Sequence, residues 1–498
     1  MTEVENGGIL FQGICYVSLF LTCVVVFAKV RSRTVRQTLL LLASFALYLT
    51  WVPWFAGVLL TSIIVNFLVG KWLRRNPSSL PLSTGVAFNL GLLSVFKYVP
   101  ELALHPRFTA LQSFSNLALP LGISFWTFQA LSYLFDQYRG EELDPSLIEF
   151  ALYMAFFPVT ISGPVCRMPD MLPQFRSEET TSASDVWLGL RRIAIGVLMM
   201  QFAKLLGQGI LAGDGIVSGF DHVTQWSGTD VWCLAFGYGL QLFFDFAGYT
   251  HIAVGAAKAF GITVPENFER PFASTNPSIF WTRWHMSLSF WIRDYVFFPL
   301  APLRREMWWR NLALALSMVI FGLWHKATLL FLIWGAYHGV LLVAHRQLQQ
   351  LQRKFSWEPS ATFWTPVLSL LAWVATATFI SLGWIFFRAN SVTQAGQMLS
   401  AIVSPASYAS HFLSSSLFVL VAALAVGYGI VLLVGDALDR QGLDRQAASP
   451  ELPSGTLALL ARWRWFWIPS LYILALILVL LITHGQEASA GQLMYRRF

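Results

Sequence analysis

Four stretches of this chain, residues 9–28, 51–70, 417–434 and 465–483, are apolar over about the 18 residues that a helix needs to cross a bilayer. In hydrocarbon every backbone N–H and C=O must find its partner within the protein, which makes the α-helix the natural form for such a stretch. By the same criterion the whole chain holds roughly ten or eleven candidate spans, and the expectation is an all-α polytopic membrane protein. Composition agrees, since 56% of the 498 residues are hydrophobic and 12% are charged, about half the charged share of a soluble domain.

The net charge of +7 does not point to nucleic acid, because the basic residues sit between apolar runs rather than along one surface stripe. Lys29, Arg31, Arg33 and Arg36 follow the first span, and Lys71, Arg74 and Arg75 follow the third. Two spans separate these clusters, so both fall on one side, the cytoplasm by the positive-inside rule. The acidic start, Glu3 and Glu5, then lies outside. It lacks the basic region and small-residue site of a signal peptide, and the first apolar run reads as an uncleaved helix. Cys15, Cys23, Cys166 and Cys233 have no metal or disulfide spacing and read as packing residues. Polar breaks at 349–359 and 436–453 are too short to hold a soluble domain, so residues 1–498 read as one membrane domain.

Residues 276–300 are apolar but carry Arg283, His285, Arg293 and Asp294. Each charge at mid-bilayer costs about 2.5–3.5 kcal/mol on insertion scales. A re-entrant or interfacial helix is therefore expected, with Asn276 as its cap and Pro277 opening it. Trp281, Trp284 and Trp291 read as anchors at the membrane–water boundary. A second apolar stretch, residues 321–339, holds His325, Lys326 and His338. An isolated membrane histidine is ordinarily a hydrogen-bonded packing residue, yet intramembrane ionisable groups are functional candidates by default. His325 and His338 are 13 residues apart, which on one continuous helix at about 100° per residue sets them on different faces. One site through the same helix is not expected, nor is a bound metal. A neutral imidazole can take a proton from a hydroxyl, typically worth about 10²–10⁴-fold in rate, or relay protons in a transporter. The histidines alone leave both open.

Six blocks, in this order, resemble the membrane-bound O-acyltransferases, specifically the bacterial branch that acylates cell-surface polymers. They are LPLGISFWTFQALSYLFDQYRG (119–140), FFPVTISGPVCR (156–167), QLFFDFAGYTHIAVG (241–255), PENFERPFASTNPSIFWTRWHMSLSFWIRDYVFFPL (265–300), FGLWHKATLLFLIWGAYHG (321–339) and GWIFFRANS (383–391). The family-like core is 119–391, followed by C-terminal helices within 415–483. The resemblance implies a ring of helices around a central tunnel, with cavities from both faces meeting at the Leu-Trp-His histidine, here His325, as the catalytic residue. His285 matches the family's second histidine. Trp324, Lys326, Trp284, Arg293, Asp294, Asp245 and His338 are implied as tunnel or supporting residues, the last also readable as plain packing. Relatives usually have glycine where Lys326 stands. A cation there would favour a neutral His325, contact a donor phosphate, or snorkel away.

The resemblance further implies a donor substrate, acetyl-CoA or another acyl thioester, rather than a permanently bound cofactor. The acceptor would be a polysaccharide or peptidoglycan hydroxyl, reached through an extracytoplasmic hydrolase-like partner from the bacterial cytoplasmic (inner) membrane. In the alginate branch Ser and Asp are common where Ala247 and His251 stand. The FDFAG form is closer to proteins that D-alanylate teichoic acids, so D-alanyl transfer from a phosphopantetheinyl carrier protein is the alternative. A transporter or flippase without chemistry is the rival from another class, although the repeated halves common in transporters are not visible.

Overall fold

The structure, a computed structural model, describes residues 18–50, 52–103, 109–210, 213–355 and 365–440. The protein is all-α and polytopic: among these residues eight helices are long and apolar enough to cross a membrane. Residues 53–70 of the window 51–70 lie in Pro53–Arg75, which opens with proline at its first position, and 417–434 lies in Ser415–Arg440. Part of 9–28 is seen as the apolar helix Ser18–Lys29, whereas 465–483 lies outside the described residues. Cys23, Cys166 and Cys233 are buried free thiols, as expected of packing residues; Cys15 is not among the described residues.

The chain separates into two compact units, each assembled from discontinuous segments. One takes in Met1–Ile193, Thr250–Asn267 and Ser287–Pro299. Its buried apolar cluster runs from Leu59 and Ile63 through Trp126, Leu134 and Phe150 to Ala257 and Phe260. Across its inter-helix seam, buried Asn66 and Asn89 exchange side-chain amide hydrogen bonds of 3.1 and 2.6 Å. Such pairs satisfy polar groups that hydrocarbon would leave bare.

The two basic clusters of this unit converge on one stretch. Glu149 closes a capping box with Ser146 at the start of helix Leu147–Ala155. Its buried carboxylate accepts from Arg33 at 2.8 Å and from Arg176 at 2.8 and 2.9 Å. Arg74 pairs with Asp144 nearby. Arg33 and Arg74 thus reach the same face, as the charge pattern predicts.

The other unit comprises Ala194–Tyr249, Phe268–Met286 and Leu300–Phe498. At its centre is a helical hairpin, Met307–His325 and Leu329–Lys354. The stretch 321–339 is thus not one helix. Three residues, 326–328, reverse the chain, so His325 and His338 stand on separate helices rather than on different faces of one. The arms meet through glycines: a Cβ on Gly335 would stand 2.5 Å from Met318 O and 2.9 Å from Val319 Cα, and one on Gly339 would stand 2.9 Å from Ala315 Cα. Small residues at such seams let backbones approach closely. Helix Thr365–Arg388 packs on the second arm and ends at Arg388, whose guanidinium meets both Asp221 carboxylate oxygens at 2.9 Å.

Candidate active site

Asn276 caps helix Pro277–Arg283 as the sequence suggests, its Oδ1 accepting from Ile279 N at 2.9 Å. The expected single helix over 276–300 is instead broken. Trp284 makes an isolated antiparallel bridge to Phe268, and His285 follows with φ 44° before helix Met286–Ile292. For a residue with a Cβ this left-handed conformation costs about 1–2 kcal/mol, and such strain marks places where side-chain direction matters. Here it separates the imidazole from the regular course of both helices.

His285 and His325 line one small chamber of about 20 Å³ together with Leu242, Phe246, Trp281, Trp284, Phe321, Trp334, Trp384 and Phe387. That is room for about one water molecule. His325, the last residue of the first hairpin arm, stacks on Phe321 at 5.4 Å and 20° and meets Phe387 edge-on at 5.1 Å. His285 meets Phe246 edge-on at 4.5 Å. Both imidazoles contact Phe321 and Trp324, and both are buried. Burial holds His285 well below the usual histidine range, so it is neutral at physiological pH. Among these aromatic rings His325 can accept and return a proton, while His285, kept neutral by burial, can hydrogen-bond a reacting partner.

The remaining expected site residues divide. Trp284 lines the chamber. Trp324 is buried, its ring 4.6 Å from that of His325. His338 is fully buried one layer out, its ring 4.9 Å from Trp334 and 5.2 Å from Trp281, with Gly383 against its Nε2 side. Asp245 is buried on Gly228–Lys258, the helix that also supplies Leu242 and Phe246. Lys326, the first residue of the reversal, is exposed and outside the lining.

Arg293 and Asp294 belong to the other unit, where they form part of a π-helical turn, Arg293–Phe297. Asp294 pairs with Arg293 and Arg167, both at 2.7 Å, and its carbonyl accepts from Arg139 at 2.8 Å. It helps to line a separate polar cavity of about 400 Å³. Trp281, Trp284 and Trp291 are not boundary anchors but buried, and Trp291 donates to Phe128 O at 3.0 Å. Sequence reasoning missed Trp334, Trp384 and Phe387 as chamber walls. The clue lay in GWIFFRANS, where Trp384 and Phe387 are three apart on one helical face.

A sequence model of the membrane-bound O-acyltransferase family matches residues 10–383. Relatives include a peptidoglycan O-acetyltransferase of Helicobacter pylori, 32% identical over 401 residues, or 73% of each chain. A probable alginate O-acetylase of Pseudomonas aeruginosa is 32% identical over 79% of this chain and 75% of its own. A teichoic acid D-alanyltransferase of Bacillus subtilis is 33% identical over 55% of this chain and 69% of its own.

Proposed function

The chain belongs to the membrane-bound O-acyltransferase family and is a multi-pass O-acyltransferase; from that premise we propose that it moves an acetyl group from a cytoplasmic thioester toward hydroxyls of an exported cell-envelope polysaccharide or peptidoglycan. The observation that carries this reading is the convergence of two buried histidines on one small aromatic chamber. His325 removes the proton of the attacking hydroxyl, and the thiolate leaving group takes that proton back. His285, neutral and rigidly held, positions the reacting partner.

Residues 1–498 then act as one catalytic domain, a reading supported by a family match that runs through both compact units. An extracytoplasmic hydrolase-like protein receives the acyl group when the acceptor polymer lies away from the bilayer. Acetyl is favoured over D-alanyl because the O-acetylating relatives match 73–79% of this chain and the D-alanyltransferase 55%. The test supplies the purified protein in nanodiscs with labelled acetyl-CoA, and separately with a D-alanyl carrier protein. His325-dependent turnover of acetyl-CoA supports the proposal. Turnover of the carrier alone replaces acetyl by D-alanyl, and turnover of neither donor favours a transporter.

A further inference from the structure

Proton transfer by histidine leaves the acyl carbonyl without a counterpart in the protein. When a hydroxyl adds to a thioester, the carbonyl π pair moves onto oxygen, and the resulting oxyanion is best stabilised by donors already in place. Two side chains in the chamber wall are suited to this. Trp281 stands on Pro277–Arg283 and Trp334 on Leu329–Lys354, with ring centroids 5.8 Å apart and ring planes at 78°. Both line the chamber and are 7% and 1% exposed. The indole Nε1–H of each is buried with no hydrogen-bond acceptor among the described residues.

Folded proteins seldom leave a buried N–H unmatched, because its desolvation goes uncompensated. An indole N–H can only donate, so what satisfies it must be an acceptor. Two such groups in the wall of one chamber are available to an acceptor that arrives with the substrate. Trp334 meets the His325 ring at 5.7 Å and 90°, and Trp281 packs on Phe321, which stacks on His325. The donors are therefore held at a fixed place relative to the base.

We propose that Trp281 and Trp334 are catalytic residues whose indole N–H groups donate hydrogen bonds to the oxyanion of the tetrahedral intermediate. This inference rests on the thioester-to-hydroxyl reading above. As the new O–C bond forms, the hydroxyl proton passes to His325 and the carbonyl pair moves to oxygen. The indoles donate to that oxygen without giving up their protons. The pair then returns, the C–S bond breaks, and the departing thiolate takes the proton from His325. Ester and free thiol are the products, and no other reactant is required. The indoles are uncharged and act chiefly once charge has developed, so they raise kcat rather than tighten donor binding.

The test replaces each tryptophan, in the full chain in nanodiscs, by 3-benzothienylalanine, which keeps the ring shape but has sulfur in place of N–H. Phenylalanine variants run alongside. The expected result is a kcat lower by about 10²–10³-fold for each donor removed, with unchanged donor KM and thermal midpoint. A wild-type kcat in the benzothienyl proteins overturns the proposal, because ring packing alone then accounts for both residues. Absence of any His325-dependent transfer in the unsubstituted protein overturns the reaction reading and this inference together, so the two failures are distinguishable.

Discussion

Replacing Gly335 by alanine should remove most of the activity while leaving the protein folded. Its Cβ would lie 2.5 Å from Met318 O and 2.9 Å from Val319 Cα, whereas ordinary contact begins at 3.4 Å. Both obstacles are backbone atoms, so the hairpin must open by about 1 Å, a displacement worth on the order of 10²-fold in rate when it reaches reacting groups. It would reach the residues proposed to react, since one arm ends at His325 and the other carries Trp334 next to Gly335. Overpacking costs about 1–3 kcal/mol, and exchanging a helical glycine for alanine returns about 1 kcal/mol. The thermal midpoint should therefore move little. Initial rates of label transfer in nanodiscs, alongside thermal unfolding, measure both quantities. Gly396→Ala is the matched control, because a Cβ there meets nothing within 4 Å, and it should behave as wild type. A wild-type rate in Gly335→Ala would refute the claim that this seam sets the geometry of the chamber.

His285→Ala should lower transfer by about 10²-fold or more at an unchanged thermal midpoint. His285→Gly should be equally inactive yet more stable by about 1 kcal/mol, because φ 44° no longer carries a Cβ penalty; activity in both variants would contradict the assigned role. Hydrogen bonds from Arg176 hold the Glu149 carboxyl down at about 2, against an ordinary 4.5. The stability this provides is fully present above pH 4.5 and is lost as pH falls through 2. Glu149→Gln should cost roughly 2–3 kcal/mol at neutral pH, with the gap from wild type closing on acidification; a gap independent of pH would argue against the ion cluster as its source. Lys326→Gly should leave the pH–rate profile unchanged, since Lys326 is exposed and outside the chamber lining; a displaced profile would restore its role in tuning His325.

The spans were legible because hydrocarbon demands long uncharged runs, and the start at Asn276–Pro277 because capping chemistry is local. The reversal at 326–328 was not legible. Lys326, Ala327 and Thr328 contain neither glycine nor proline, so the apolar pattern runs through the turn unmarked, and His325 and His338 read as faces of one helix. Arg293 and Asp294, implied as supporting residues by the family resemblance, fall in the other unit, where Asp294 pairs with Arg167 and its carbonyl accepts from Arg139. The tryptophans misled for a chemical reason. An amphipathic indole suits a membrane boundary and the wall of a buried site equally well, and only packing separates Trp281 in the chamber from an anchor at the bilayer surface. His325 and His285 stood out in the sequence because polar groups in an apolar run need a reason to be there.

His325 is proposed to carry acyl transfer at the aromatic chamber. The most direct measurement follows a thioester labelled in its acyl group through a single turnover on purified wild-type and His325→Ala protein in nanodiscs, scoring label on protein, lipid and added glycan. Wild type should show turnover and label transfer and His325→Ala none, with both proteins folded. Equal label transfer by the two proteins would contradict that role.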